Sequence, residues 1–335
     1  MLQAASNPRS ARSIQRVFRA VVRSLTCPEL SWFAMPLGFA GLGSAWSATD
    51  LGSLGEWASQ ICCAISLVVW LALTVAYLIA FARRIAPGYA HPTQGPLVSF
   101  IPAVGLLLAI HYGALAPVAR VWSVVAFVVV LAVFDAFLVG HWLTGGPGEA
   151  SVHPGYFAAV VAGPFIATIG LQSVHLTPVA WACFGVGIFF FLAIGGVVLD
   201  RLISSPVREG SLPSTAILMA APATADVAWL IAHGDQPDAV SWALAGLVGL
   251  MLMVQLTLVP RYLRARFSMS FWTFSFPLAS ASNVAARLSA AAGSPVLARI
   301  LILSVVSAIF VALLFGTALR VVGLGRELHR HRRAA

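Results

Sequence analysis

Three ionisable side chains inside long apolar stretches are the first candidates for chemistry: Asp226, His111 and Asp135. Burying such a group in lipid is costly, so it indicates a proton-transfer or ion-binding role by default. Asp226 follows Pro222 by one helical turn, which is compatible with a pore-lining or proton-coupling role and equally with a buried structural hydrogen bond. His111 is compatible with lining a lumen or with packing, and for Asp135 we favour a structural role.

The stretch FWTFSFPLAS, residues 271–280, combines hydroxyl groups, aromatic rings and Pro277 inside an apolar segment. Hydroxyl donors such as Ser275 can replace part of the hydration shell of an anion, and a ring in a narrow lumen can close it to water and ions. Phe274 and Phe276 are candidates for that ring. The alternative is that these aromatic side chains only pack between helices.

Pro277 is the last of five prolines that recur at steps of 66, 62, 58 and 55 residues, each inside an apolar segment: Pro36, Pro102, Pro164, Pro222 and Pro277. The recurrence indicates a repeated unit of roughly 60 residues, long enough for two membrane spans. A proline inside a helix frees a carbonyl group, which a wet or protein-lined cavity tolerates better than lipid does. We therefore expect the proline-bearing spans to kink and to surround a pore, with the proline-free spans outside them.

The amino-acid composition indicates the structural class of the protein. The 335 residues are 60% hydrophobic and 9% charged, with a mean hydropathy of +0.92. Apolar runs of about 20 residues predict an all-α integral membrane protein. We expect five helical hairpins, and so ten spans, over approximately 30–48, 57–82, 97–117, 119–142, 156–174, 178–199, 212–232, 240–260, 268–288 and 297–321.

The basic residues are unevenly distributed. Seventeen of the 20 lie on the side of the predicted spans that carries both termini, and the other side has only Arg120, Arg287 and Arg299. The positive-inside rule then places both termini in the cytoplasm, and these three arginines are candidates for attracting anions to an outer mouth. We divide the chain into a basic amphipathic leader (1–28), a transmembrane domain (29–322) and a basic tail (323–335).

No enzyme, metal or nucleotide motif is evident. The run GFAGLG, residues 38–43, lies inside a span with no strand before it, so its glycines indicate close helix packing. The four cysteines have no metal-ligand spacing. We expect no cofactor and no metal, and the net charge of +9 needs no nucleic-acid partner because topology accounts for most of it.

Three stretches carry a family resemblance: MPLGFAGLGSAW (35–46), LPSTAILMAAPATA (212–225) and RFSMSFWTFSFPLA (266–279). Through them the chain resembles the tellurite-resistance/dicarboxylate transporter family, which includes bacterial tellurite-resistance proteins, fungal malate permeases and slow anion channels of plant guard cells. The resemblance implies five inner helices around a pore, one pore in each subunit of a homotrimer, and a gating phenylalanine just before the proline of the ninth span. Phe276 stands at that position.

The function expected from these observations is an anion channel or uniporter of the bacterial inner membrane, for small inorganic anions or malate-like C4-dicarboxylates. A proton-coupled dicarboxylate carrier, or an exporter that confers resistance to tellurite or drugs, is the alternative. In such a carrier, Asp226 or His111 would titrate during transport.

Overall fold

A computed structural model describes residues 29–145, 154–205 and 209–333 of the chain, and within these ranges the regular structure is entirely helical. Ten α-helices occur there: α1 (Ala34–Ser47), α2 (Ser53–Ala82), α3 (Phe100–Tyr112), α4 (Pro117–Leu143), α5 (Gly163–Ser173), α6 (Thr177–Ser204), α7 (Ile217–Ala232), α8 (Ala239–Arg264), α9 (Ser275–Ala291) and α10 (Val296–Arg333). The amphipathic leader predicted for 1–28 lies outside the described residues. Helix α10 continues through most of the stretch that we assigned to a separate tail.

Seven helical stretches of the described residues are long and apolar enough to cross a membrane. The all-α membrane class is therefore confirmed. Helices α1, α5 and α9 account for the difference from the ten predicted spans: they are short, with 14, 11 and 17 residues, and rich in Gly, Ala and Ser. Since most of their residues are buried by neighbouring helices, lipid does not select for large apolar side chains on them.

A short helical segment of different pitch precedes each odd-numbered α-helix. These lead-in segments are 3-10 helical before α1 (Leu30–Phe33), α3 (Gly95–Ser99), α7 (Glu209–Ala216) and α9 (Met269–Phe274), and π-helical before α5 (Ala158–Ala162). The change of pitch coincides with a proline in four of the five cases.

Pro36, Pro102 and Pro277 are each the third residue of their α-helix, and Pro164 is the second residue of α5. The first N–H groups of an α-helix have no partner within it, so a proline there breaks no α-helical hydrogen bond. In these four spans the proline therefore marks the start of the α-helical part, where the pitch changes, and does not lie in the helix interior; the kink itself stays a prediction. Pro222 alone of the five lies inside its α-helix, α7.

Burial separates the odd-numbered helices from the even-numbered ones. In the most apolar windows of the stretches Gly95–Tyr112 and Leu212–Ala232, which contain α3 and α7, 56% and 78% of the residues are buried. The corresponding share in the even-numbered helices is 11–22%. The exposed side chains of the even-numbered helices are mostly large and apolar, which suits a surface facing lipid.

The odd-numbered helices form a closed ring of helix–helix contacts. Helix α1 packs against α3, α3 against α5, α5 against α7, α7 against α9, and α9 against α1 again. Each of these helices also packs against the even-numbered helix that follows it in the chain. The chain thus brings its five odd-numbered helices into one ring of contacts.

Candidate functional site

A small cavity lies where the five odd-numbered helices meet, and each of them, or its lead-in segment, contributes to the wall. The lining residues are Ala34, Leu37, Phe100, Ala103, Ala158, Ala162, Ile166, Ile217, Ala220, Trp272, Thr273, Phe276 and Pro277. Thr273 has the only hydroxyl group among them, and its Oγ1 lies 2.9 Å from the Pro213 carbonyl oxygen and 2.6 Å from that of Ser270. The wall of this cavity is therefore apolar and carries no charged side chain.

Phe276 is one of these lining residues and only 6% of it is exposed. Its ring lies against α1 at Gly41, where an added methyl group would be 3.0 Å from Phe276 Cδ2. The nearby lining residue Trp272 is fixed by contacts outside the cavity wall. Its Nε1 donates to Thr317 Oγ1 at 2.9 Å, and its ring contacts Phe39 and Phe310. Phe276 thus combines a large ring, a position on the cavity wall and a glycine as its neighbour.

The residues on either side of Phe276 in the predicted stretch have different surroundings. Ser275 Oγ lies 2.8 Å from the Ala34 carbonyl oxygen and 2.6 Å from that of Trp272, so its hydroxyl group is engaged between α1 and α9. The Phe274 ring packs edge-on against Tyr262, with 4.9 Å between ring centroids. Neither Phe274 nor Ser275 is among the lining residues of the cavity.

Among the five prolines, Pro277 lines the cavity. The other four are buried in the odd-numbered helices, and two of their carbonyl groups accept side-chain hydrogen bonds. Ser66 Oγ on α2 donates to the Pro36 carbonyl oxygen at 2.7 Å, and Thr168 Oγ1 donates to that of Pro164 at 2.9 Å. These hydroxyl groups stabilise backbone close to the cavity.

Asp226 is fully buried and lies between α7 and α8. Its Oδ1 accepts a hydrogen bond of 2.7 Å from Ser241 Oγ in the first turn of α8, and its Oδ2 has no partner among the described residues. His111 is half-buried near the end of α3, with its ring edge-on to Tyr112 at 4.8 Å. Neither side chain is among the residues that line the cavity.

The three arginines predicted at the outer mouth all lie near helix ends, and none of them lines the cavity. The alkyl chain of Arg120 covers Gly113, and Arg299 Nη1 donates to the Thr49 carbonyl oxygen at 2.9 Å. Arg287 Nε donates to Asn283 Oδ1 at 2.8 Å, and its Nη1 forms an ion pair with Asp235. Each of the three side chains is thus packed or bonded in the structure.

Most of the cavity wall was not identified from the sequence, although a positional signal exists. Ala34 and Leu37 stand two residues before and one residue after Pro36, and Phe100 and Ala103 stand in the same relation to Pro102. Because those prolines begin equivalent helices, equal offsets from them define the same face. Reading outward from Pro36 and Pro102 would have found these four positions, whereas the same offsets from Pro277 give Ser275 and Leu278, which do not line the cavity. In the ranges that the structure describes, no group of three His, Cys, Asp or Glu side chains is placed to hold a metal ion.

Two comparisons with known proteins bear on this arrangement. A sequence model of a family described as voltage-dependent anion channel matches residues 29–322, which include all the helices that form the ring. The chain is also 26% identical over 260 residues to the tellurite resistance protein TehA homolog of Haemophilus influenzae, covering 76% of this chain and 79% of that protein. The family match extends over most of the chain, and it agrees with the resemblance carried by the three sequence stretches. The chain therefore belongs to the voltage-dependent anion channel family.

Proposed function

We propose that the protein is an anion channel or uniporter whose path runs through the ring of odd-numbered helices and is closed by the ring of Phe276. The observation that carries this proposal is the position of Phe276 on the wall of a cavity to which all five odd-numbered helices contribute. An apolar constriction excludes both water and hydrated ions, so one aromatic ring at such a point is sufficient to act as a gate.

The preference for anions is supported by the family description and by the charge of the chain. The family that the chain belongs to is described by anion conduction. The three far-side arginines, Arg120, Arg287 and Arg299, lie near helix ends, where positive charges raise the local concentration of anions. Small inorganic anions and malate-like C4-dicarboxylates are the proposed substrates.

A channel or uniporter is favoured over a proton-coupled carrier by the surroundings of the two ionisable candidates. Coupling would require a titratable group that the path exposes alternately to the two sides of the membrane. Asp226 is bonded to Ser241 between α7 and α8, and His111 packs against Tyr112. Since neither belongs to the wall of the cavity, the proposed path contains no titratable side chain there.

A second candidate function follows from the name of the similar Haemophilus protein, which links that protein to tellurite resistance. A pore that passes oxyanions outward would lower their concentration in the cell, so resistance and channel activity are compatible. We propose further, from the resemblance and the charge asymmetry, a homotrimer in a bacterial inner membrane, with ten spans and both termini in the cytoplasm.

Anion flux in reconstituted liposomes tests the proposal. Wild type and Phe276→Ala are compared for chloride, nitrate and malate at two pH values, with Phe274→Ala as the matched control, because that ring packs against Tyr262. We expect a small wild-type flux, at least a tenfold increase in Phe276→Ala, little change in Phe274→Ala and weak pH dependence. Equal effects of the two substitutions, or flux that requires a proton gradient, would contradict the proposal.

A further inference from the structure

We propose that the guanidinium group of Arg287 is a binding site for carboxylate-bearing anions at the far mouth of the path, and that the carboxylate of Asp235 occupies it as an internal competitor. The inference rests on the proposed function, because it assigns one binding step to the same path. It deepens that function by naming the chemistry that the mouth selects.

Arg287 lies on the same stripe of α9 as Phe276. The steps from Phe276 to Ser280, to Asn283 and to Arg287 are four, three and four residues, the spacing of one helical face. Contacts with α1 follow the same order: Phe276 lies against Gly41, and Asn283 Nδ2 donates to Ser44 Oγ at 3.3 Å, about two turns further along α9 and one turn further along α1. A polar stripe therefore leads from the apolar cavity wall to Arg287.

The surroundings of Arg287 suit the binding of an anion. Its side chain is only 10% exposed, which reduces competition from bulk water, and Asn283 Oδ1 accepts a hydrogen bond from its Nε. That bond orients the planar guanidinium group and leaves the terminal nitrogen atoms for a second acceptor. Guanidinium groups bind carboxylates in this way, by charge-assisted hydrogen bonds in a fixed plane.

Asp235 supplies that second acceptor in the structure. Its carboxylate pairs with Arg287 Nη1 from the loop between α7 and α8, and the Asp235 side chain is 51% exposed. Gly234 and Asp235 both have positive φ, +63° and +61°, so this short turn presents the carboxylate in a left-handed conformation that is unfavourable for most residues. A half-exposed carboxylate on a loop is a competitor that a carboxylate from solution can displace at modest cost.

The other two far-side arginines do not offer an equivalent site. Arg299 Nη1 is bonded to the backbone carbonyl oxygen of Thr49, and the alkyl chain of Arg120 lies over Gly113. Neither of them forms an ion pair with a described carboxylate, whereas Arg287 does. Among these three arginines, the pairing with a carboxylate is therefore specific to the end of the α9 stripe.

Equilibrium binding of sodium malate to the full chain in lipid nanodiscs tests this site without requiring conduction. Asp235→Asn removes the competitor, and we expect malate to bind roughly twofold to fivefold more tightly, which is the competition that a half-exposed ion pair offers. Arg287→Gln should weaken malate binding at least tenfold, and the double variant should match Arg287→Gln. Asp50→Asn removes a carboxylate that forms no ion pair within the described residues at the same end of the helices, so it controls for net charge.

Unchanged affinity in both Asp235→Asn and Arg287→Gln, with both variants folded by size-exclusion chromatography, would overturn the site and leave the ion pair a structural contact. An equal gain in Asp50→Asn and Asp235→Asn would also overturn it, because the effect would then be one of net charge. Phe274→Ala, whose ring packs against Tyr262 and does not line the cavity, is a further control and should leave malate affinity within twofold of wild type. Tight malate binding without flux in any variant would refute the channel and support the Arg287 site. Flux without the expected binding pattern would refute the Arg287 site and support the channel.

Discussion

Gly41 of α1 faces the ring of Phe276 so closely that a methyl group at residue 41 would lie 3.0 Å from Phe276 Cδ2 and 3.2 Å from Ala279 Cβ. To admit a methyl group there, the ring or the helix would have to shift by a few tenths of an ångström. This contact places the ring of the proposed gate directly against α1. A substitution at Gly41 therefore tests whether α1 holds the ring in position.

The first prediction concerns Gly41→Ala. The added methyl group pushes the Phe276 ring away from α1 and into the cavity, so we expect the basal anion flux into proteoliposomes to fall severalfold. In the Phe276→Ala background the same substitution should have little effect, because no ring remains to be displaced. Gly185→Ala is the control, since a methyl group there meets nothing within 4 Å. An equal reduction of flux in both backgrounds would show that Gly41 acts without Phe276.

Gly38→Ala should lower stability, because a methyl group at residue 38 would overlap the side chain of Ser275 and lie 3.1 Å from its carbonyl carbon. A clash that involves the backbone is not relieved by a rotamer change, so α1 and α9 must separate. We expect a loss of about 1–3 kcal/mol in the free energy of unfolding, measured by denaturant titration in detergent. Gly196→Ala meets no atom within 4 Å and should be neutral or slightly stabilising. Equal stability of the two variants would refute the close packing of α1 on α9.

The Asp226–Ser241 hydrogen bond should matter for stability and not for transport. Asp226→Asn keeps an acceptor for Ser241 Oγ, so we expect unchanged flux at both pH values. Ser241→Ala leaves Asp226 Oδ1 without its donor in a buried place, at a cost of about 1–3 kcal/mol in the free energy of unfolding. If Asp226→Asn instead abolishes a flux that depends on a proton gradient, the protein is a coupled carrier.

The start of α8 should be sensitive to acid. Asp238 caps this helix, and the pKa of its carboxyl group is lowered chiefly by the backbone N–H of Ser241, with help from Trp229 and Val240. A lowered pKa means that the stabilisation is present above the ordinary carboxyl range and is lost as the pH falls through the lowered folded-state value. Asp238→Asn can still cap but cannot titrate. We expect thermal stability in detergent to fall more steeply below about pH 4 in wild type than in this variant; parallel pH profiles would contradict the prediction.

Thiol labelling tests the course of the proposed path. In a chain whose four natural cysteines are replaced, Ala103→Cys and Ala220→Cys lie on the cavity wall, whereas Val129 is 54% exposed on α4. In the Phe276→Ala background we expect a charged, membrane-impermeant thiol reagent to modify the two cavity positions and to leave Val129→Cys unmodified. Equal labelling at all three positions would show that water does not follow the ring of odd-numbered helices.

Much of the architecture can be predicted from the sequence because the constraints are local. Apolar runs of about 20 residues determine that the chain crosses a membrane as helices, since lipid offers the backbone no hydrogen-bond partner. The recurrence of Pro36, Pro102, Pro164, Pro222 and Pro277 divides the segments into two kinds, and the three family stretches led to the family that the comparison then showed. The position of four of the prolines at the start of an α-helix was not predicted, because the sequence pattern does not show where the change of pitch before each α-helix occurs.

The tertiary structure decided which side chains of those segments meet the cavity. Phe274, Ser275 and Phe276 are consecutive in the sequence, but they contact Tyr262, the Ala34 carbonyl oxygen and the cavity respectively. Likewise, the pairing of Asp226 with Ser241 and of Arg287 with Asp235 depends on how separate helices pack together. Successive residues of a helix point about 100° apart, so residue type and spacing identify the helix that carries a functional group. Only the packing of its neighbours determines which of those directions faces the path.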